Sequence, residues 1–256
     1  MTTPHHIAVI PARAGSKGLP GKNRALFGDL ADFITTSALF DRVIVTTNDE
    51  ELIKTAQIRG FDIRRRPDHL AGDHNSIREA FVDVVENCPV QPDDYLWLLF
   101  IPLVYRDVED FKAARAVIDA RQPAGLCSFI PAKTHPFNVW RIDETAGTVA
   151  KFIDNDYYNR QDYPPAWENY NYLCCVRVRD LPRANANLVC GDSHPVLLSP
   201  EKAAAMQEVD EPEDLLAWKT KHPEHFRRLL ASADVRAWLD GLPETRIPKH
   251  LRDRLR

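Results

Sequence analysis

Several things are missing from this sequence, and each absence excludes a class of protein. There is no excess of positive charge: 33 lysines and arginines face 37 aspartates and glutamates, for a formal net charge of −4. A general nucleic-acid or membrane-surface binder carries a basic excess, so neither partner is expected. No two of the five cysteines, Cys88, Cys127, Cys174, Cys175 and Cys190, form a CxxC pair. Their number is odd, and no Cys/His group has the spacing of zinc ligands. Reduced thiols are the expectation. The longest apolar stretch, "YLWLLFIPLVY", is about half of the ~20 residues that a membrane span needs. The opening "MTTPHHIAVIPAR" lacks the apolar core and cleavage pattern of a signal peptide. There is no internal repeat and no low-complexity linker. Together these absences predict a soluble, cytoplasmic chain.

What is present reads as an α/β protein. The 256 residues are 44% hydrophobic, enough for a substantial core in one large domain, with or without an appendage. Strand-like runs recur at "IAVI" (7–10), "DRVIVTT" (41–47), "FDIRRR" (61–66), "YLWLLFI" (95–101), "GLCSFIP" (125–131) and "NYLCCVRV" (171–178). Helical spacing marks "DEELIKTAQIRG", "SIREAFVDVVEN" and "DVEDFKAARAVIDAR". The second of these opens on Ser76 with Glu79 three residues on, the pattern of a capping box. Continuous apolar strands alternating with amphipathic helices predict a mostly parallel sheet with helices on both faces. Residues 135–165 are rich in Asn, Asp, Tyr and Pro and read as loop with short strands. The stretch from Leu215 to Leu242 is helical and amphipathic.

The most informative segment is "IPARAGSKGLPGKN" (10–23), directly after the first strand. Ligands of open α/β sheets sit beyond the carboxyl ends of the strands. The segment is not a P-loop: Gly21-Lys22 is followed by Asn23, and Ser16 stands where the first glycine is needed. Nor is it a dinucleotide fingerprint, because Gly15, Gly18 and Gly21 stand three apart. The chemistry of phosphate binding is present all the same. Glycines let backbone N–H groups approach an anion, and Arg13, Lys17 and Lys22 add three positive charges. A solvated basic loop is the plainer alternative.

This segment resembles the signature of the acylneuraminate cytidylyltransferase family, enzymes that make CMP-sialic acid and related CMP-ulosonic acids. Further resemblances follow in family order: "LFDRVIVTTNDEELIKTAQIRGFDI", "RRPDHLAGDHNSI", "NRQDYPPAW" and "EVDEPEDLLAW". They run from residue 7 to about residue 218. The resemblance implies a Rossmann-like nucleotidyltransferase domain over residues 1–218, in which 135–170 form an acceptor and dimerisation insert. Residues 219–256 follow as a helical extension. It implies transfer of CMP from CTP to an acid sugar, with pyrophosphate released, Mg²⁺ as cofactor and a homodimer as the assembly. Carried over by position, Arg13, Lys17 and Lys22 take the catalytic places. Ala12, Gly15, Ser16, Asn23, Arg66 and Ser76 take nucleotide-binding ones. Phe100, Arg106, Asn138, Arg160, Glu168 and Cys174 fall at acceptor positions, and Asp210 and Glu208 at the metal.

The departures concentrate in the acceptor half. A family glutamine after the central strand is Phe100, within "LFIPLVYR". A family arginine is Glu168, which reverses the charge, and a lysine after the His-Pro pair is Asn138. A tyrosine is Cys174. One metal-binding aspartate is Glu208, and the region between Asn23 and Phe40 is shorter, which trims a helix and its lead-in. A carboxylate facing a substrate carboxylate is unfavourable. Either the acceptor differs, or a nearby arginine such as Arg160 or Arg177 takes the lost role. Two alternatives therefore stand beside the acid-sugar reading: a cytidylyltransferase for another small acid or phosphonate, and a degenerate nucleotide-binding homologue. Some residues have plainer readings: Arg64 and Arg65 as a solvated face, Asp210 as a helix cap, Arg106 as a salt-bridge partner. The tyrosines Tyr157, Tyr158, Tyr163, Tyr170 and Tyr172, with Trp167, suit a sugar pocket or a dimer interface.

Overall fold

The computed structural model describes residues 4–15, 18–72 and 74–255. In chain order the elements are β1 (His6–Ala12), α1 (Lys22–Ser37), β2 (Arg42–Thr47), α2 (Glu50–Ile58), β3 (Asp62–Arg65), α3 (Ile77–Asn87), β4 (Tyr95–Leu98) and α4 (Val108–Arg121). Then come β5 (Gly125–Pro131), β6 (Trp140–Asp143), β7 (Thr148–Lys151), β8 (Trp167–Arg177) and β9 (His194–Leu197). Five helices close the chain: α5 (Pro200–Ala205), α6 (Pro212–Lys221), α7 (Pro223–Leu230), α8 (Ala233–Gly241) and α9 (Lys249–Leu255).

Seven strands form one sheet in the order β3-β2-β1-β4-β8-β5-β9. All run parallel except β8, which lies antiparallel between β4 and β5. Strand periodicity sorts the core onto two faces. Ala8 and Ile10 of β1, with Tyr95 and Trp97 of β4, meet Phe27 and Leu30 of α1 and Phe111 of α4. Ile7, Val9, Leu96 and Leu98 point the other way, onto Phe81 and Val84 of α3. The predicted α/β sheet with helices on both faces is thus the observed one. The C-terminal helices are continuous with it: Phe226, Val235, Leu239 and Leu251 belong to the first of these clusters. Among the described residues no helix is long and apolar enough to cross a membrane.

Local rules explain the boundaries. Ser76 accepts from the Glu79 amide while Glu79 reaches back to the Ser76 amide, the capping box read in the sequence. Asp49 caps α2 through the amides of Glu51 and Leu52. One expectation needs correction. The fourth strand ends at Leu98 rather than residue 101, because the chain turns after Leu99 gives its amide to Val9. The region after Asn23, expected to carry a trimmed helix, holds the 16-residue α1. Within the loop-rich segment, β6 and β7 pair as an antiparallel hairpin separate from the main sheet.

Candidate active site

The sheet changes direction between β1 and β4: β2 and β3 extend it one way, β4 and its neighbours the other. Ligands of open α/β sheets bind at such a switch point, beyond the strand carboxyl ends. A cleft of about 430 Å³ opens there. The end of β1 supplies Pro11 and Arg13, and the following loop and α1 supply Gly18, Lys22 and Asn23. Arg66 comes from beyond β3, Ser76 from the start of α3, and Phe100 and Pro102 from beyond β4. Glu208, Asp210 and Glu211 enter from the segment before α6.

One side of the cleft is basic. Arg66 is 9% exposed, and its guanidinium donates to the Thr46 hydroxyl and carbonyl at 3.2 and 3.0 Å. Burial pulls its pKa down to about 10, and the neighbouring charge of Arg13 acts in the same direction. At neutral pH it stays protonated. The nearby Asp83 is engaged bidentately by Arg64, so Arg64 is a structural pair rather than a solvated charge. Arg65 pairs with Glu50 at the surface. Helix α1 starts at Gly21, whose φ of 78° is left-handed, and among the described residues no side chain caps it. The Lys22 amide is taken by the Leu19 carbonyl at 3.2 Å, and among the described residues no side chain caps those of Asn23 and Arg24, which suits an anion.

The other side is acidic, and the two sides touch. The Lys22 ammonium donates to the Val209 carbonyl at 2.9 Å and pairs with Asp210. A Cβ on Gly18 would lie 2.3 Å from the Asp210 carbonyl oxygen and 2.6 Å from the Glu211 carboxylate. Only glycine permits that approach. The acidic segment is strapped down by a short antiparallel pairing, with the Val209 amide on Pro102 and the Val104 amide on Gln207. Burial raises the Glu208 carboxyl above its ordinary range, Asp210 adds to this, and Lys22 opposes it. Among the described residues no cluster of three or more metal-ligating side chains exists. The donor set nonetheless fits Mg²⁺, which takes one or two carboxylates and completes its shell with water and substrate phosphates.

The remaining expected site residues do not gather here. Ser16 and Lys17 lie outside the described residues. Ala12 is buried at the end of β1, and Gly15 is a left-handed turn residue with open space around it. Two acceptor assignments need correction. The Arg106 side chain is 4% exposed and turned inward. It donates to the carbonyls of Phe100 and Ile101 and lies 3.7 Å from Asp29, with burial pulling its pKa down to about 10. It supports the Phe100 turn from behind instead of facing the cleft. Cys174 is fully buried, its sulfur 3.7 Å from that of Cys127 across the β5–β8 pairing. Asn138 and Arg160 line a second cavity, of about 450 Å³, with Lys133, His135 and Tyr163. Glu168 sits at its edge and accepts the Lys133 amide at 2.9 Å. Arg177 is taken by Asp180 at 2.6 Å.

The tyrosines do not form one group. Tyr157 and Tyr163 pack with Phe137 and His135 beside the second cavity. Tyr158 is almost fully exposed. Tyr172 is buried, with its hydroxyl donating to Asp110. Tyr170 is pushed up to about 12 by burial, with Glu208 and Asp210 contributing, so it lies within electrostatic reach of the acidic pair. Glu211 lines the cleft, and the sequence reading gave it no role. The signal for Glu211 was its place after Asp210 and before Pro212.

Residues 7–105 match a family model described as cytidylyltransferase. The N-acylneuraminate cytidylyltransferase of Escherichia coli O18:K1:H7 is 33% identical over 137 residues, which are 47% of this chain and 33% of that protein. One from Streptococcus agalactiae serotype V is 24% identical over 169 residues, 63% of this chain and 40% of that one. The chain thus spans well under half the length of these curated relatives. Among solved structures, it is similar to a CMP:2-keto-3-deoxy-manno-octonic acid synthetase complexed with CTP, at a TM-score of 0.56 and 16% identity, over 85% of this chain and 97% of that one. It is similar also to a 4-diphosphocytidyl-2C-methyl-D-erythritol synthase, at 0.55 and 14%, over 86% and 99%. At these identities the likeness is one of fold alone, a Rossmann-like α/β sheet.

Proposed function

We propose, from a chain whose residues 7–105 match the cytidylyltransferase family model, that the cleft binds CTP and transfers its CMP to an acid sugar. The observation that carries this reading is the meeting of Arg13, Lys22, Asn23 and Arg66 with Glu208 and Asp210 at the switch point of the sheet. An acceptor hydroxyl attacks the α-phosphorus in line. One P–O bond forms, the bond to the bridging oxygen breaks, pyrophosphate leaves, and the hydroxyl proton passes to solvent. Negative charge grows on the phosphate oxygens as this happens. Arg13 and Arg66 stabilise it, and the uncapped amides of α1 orient the phosphate chain. Mg²⁺ held by Asp210 and Glu208 would neutralise charge on the triphosphate. Lys22, now paired with Asp210, holds that carboxylate at the cleft.

The acceptor we infer is of the acylneuraminate or wider ulosonic type, and the enzyme acts as a cytoplasmic homodimer. Support for the dimer is the exposed apolar surface of the hairpin, where Trp140, Ile142, Val149 and Phe152 are each at least half exposed. A second reading, another small acid or a phosphonate as acceptor, is favoured by the acceptor half: Cys174 and Arg106 are buried, and Glu168 is engaged with a backbone amide.

Pyrophosphate release from CTP and Mg²⁺ tests the reaction, run against sialic, legionaminic, pseudaminic and deoxyoctulosonic acids and a small phosphonate. Release with one ulosonic acid, abolished in Arg66→Ala, is expected. Release with the phosphonate alone would favour the second reading. Silence throughout, with CTP still bound, would leave a nucleotide-binding homologue.

A further inference from the structure

The loop that forms the basic wall of the cleft is held from outside by the C-terminal helices. Helix α8 docks on the core through Val235 and Leu239, one turn apart. Trp238 lies on the same side of the helix, three residues after Val235. Its indole N–H donates to the carbonyl of Pro20 at 2.7 Å. The edge of the same ring lies 3.4 to 3.6 Å from where a Cβ on Gly21 would stand. Pro20 and Gly21 are the two residues that turn the loop into α1, and Gly21 does so in the left-handed region, at φ 78°. The next residue, Lys22, reaches Asp210. A single ring thus fixes the point where the loop ends, the uncapped helix begins and the two walls of the cleft join.

We propose that Trp238 is a positioning residue for nucleotide binding. It touches no substrate. It acts through Pro20 and Gly21 by setting the direction of the first-turn amides of α1 and the placement of Gly18 against Asp210. The inference rests on the cleft binding CTP, and it gives the C-terminal helices a part in that binding beyond their share of the core.

Trp238→Phe keeps the ring and removes the donor. By calorimetry with Mg²⁺, its dissociation constant for CTP should rise about fivefold, the worth of one neutral hydrogen bond. The turnover number should be unchanged and the melting temperature should stay close to that of the parent. Trp238→His, which retains a ring N–H, should recover part of the affinity. Leu239→Ala serves as the control for a purely structural role, since it loosens α8 without touching the loop. The quenching of tryptophan emission on CTP binding should shrink in Trp238→Phe, although four tryptophans remain. Equal CTP affinity in parent and Trp238→Phe overturns the inference while leaving the CTP reading intact. So does an affinity loss that merely tracks the melting temperature across Trp238→Phe and Leu239→Ala. A parent protein that binds no CTP overturns the nucleotide reading and this inference together.

Discussion

Arg66 carries its charge in a poor solvent. Its hydrogen bonds go to a threonine rather than to a carboxylate, and burial, with the charge of Arg13 beside it, lowers its pKa to about 10. Such a charge costs stability unless something anionic arrives. Arg66→Met should therefore weaken CTP binding by about 10- to 100-fold, the range for hydrogen bonds to charged groups. The same change should leave the urea midpoint unchanged or raise it. Unaltered CTP affinity in that variant would remove Arg66 from the anion site. Gly18 obeys a harder constraint, since a methyl group there meets the Asp210 carbonyl at 2.3 Å. Gly18→Ala should separate the two walls and abolish pyrophosphate release with the circular dichroism spectrum intact. At this scale the sequence was legible where a motif fixes backbone, as at Lys22 and Asn23. It misled where the direction of a side chain decides. Arg106 and Cys174 occupy acceptor positions by alignment, yet both point into the protein. Motif spacing does not encode that choice; packing around the Phe100 turn and across β5 and β8 does.

Asp49 shows what holds an element to its neighbour. It caps α2 and receives Arg24 of α1 at 2.8 and 3.0 Å. Burial opposes its ionisation, but Arg24 and the amides of Leu52 and Glu51 outweigh it and hold the carboxyl below its ordinary range. Asp180 is alike: burial opposes, and Arg183 and Arg177 prevail. A lowered carboxylate stabilises the fold fully above its unfolded value, near pH 4. That stability disappears as the pH falls through the lowered folded value. The urea midpoint should accordingly be flat from neutrality to about pH 5 and decline below about pH 4. Asp49→Ala should cost about 1–2 kcal/mol at neutral pH, as lost caps do, and its midpoint should decline less in acid. A parallel decline in variant and parent would show that Asp49 is not among the responsible groups. Elements with strong local signals were legible: the Ser76–Glu79 box and the apolar strands. Helix α1 was expected only as a trimmed helix through the resemblance and not from its periodicity, because Gly28 and the run Ile34-Thr35-Thr36 weaken its propensity. What makes it helical is burial of Leu26, Phe27, Leu30 and Ile34 against the sheet.

Among the described residues the β6–β7 hairpin exposes Trp140, Ile142 and Val149 side by side on one of its faces, with Phe152 exposed on the other. Contiguous apolar exposure of this kind marks an interaction site. If it joins two copies, Trp140→Ser with Ile142→Ser should convert a dimer to a monomer by sedimentation velocity, with the melting curve of the main domain little changed. A parent protein that sediments as a monomer at micromolar concentration would sink the dimer. Composition foretold the layered sheet, but not that the C-terminal helices share its core, since amphipathicity does not name the partner of an apolar face. The contact between Lys22 and Asp210 joins positions 188 residues apart in the chain. During synthesis, at about 5–20 residues per second, the basic wall therefore waits roughly 10–40 s for its acidic counterpart. Until then Lys22 lacks both the Val209 carbonyl and the Asp210 carboxylate that receive it. A chain that stops short of Asp210 therefore has only one wall of the cleft, and the site is a product of the whole chain rather than of its opening motif.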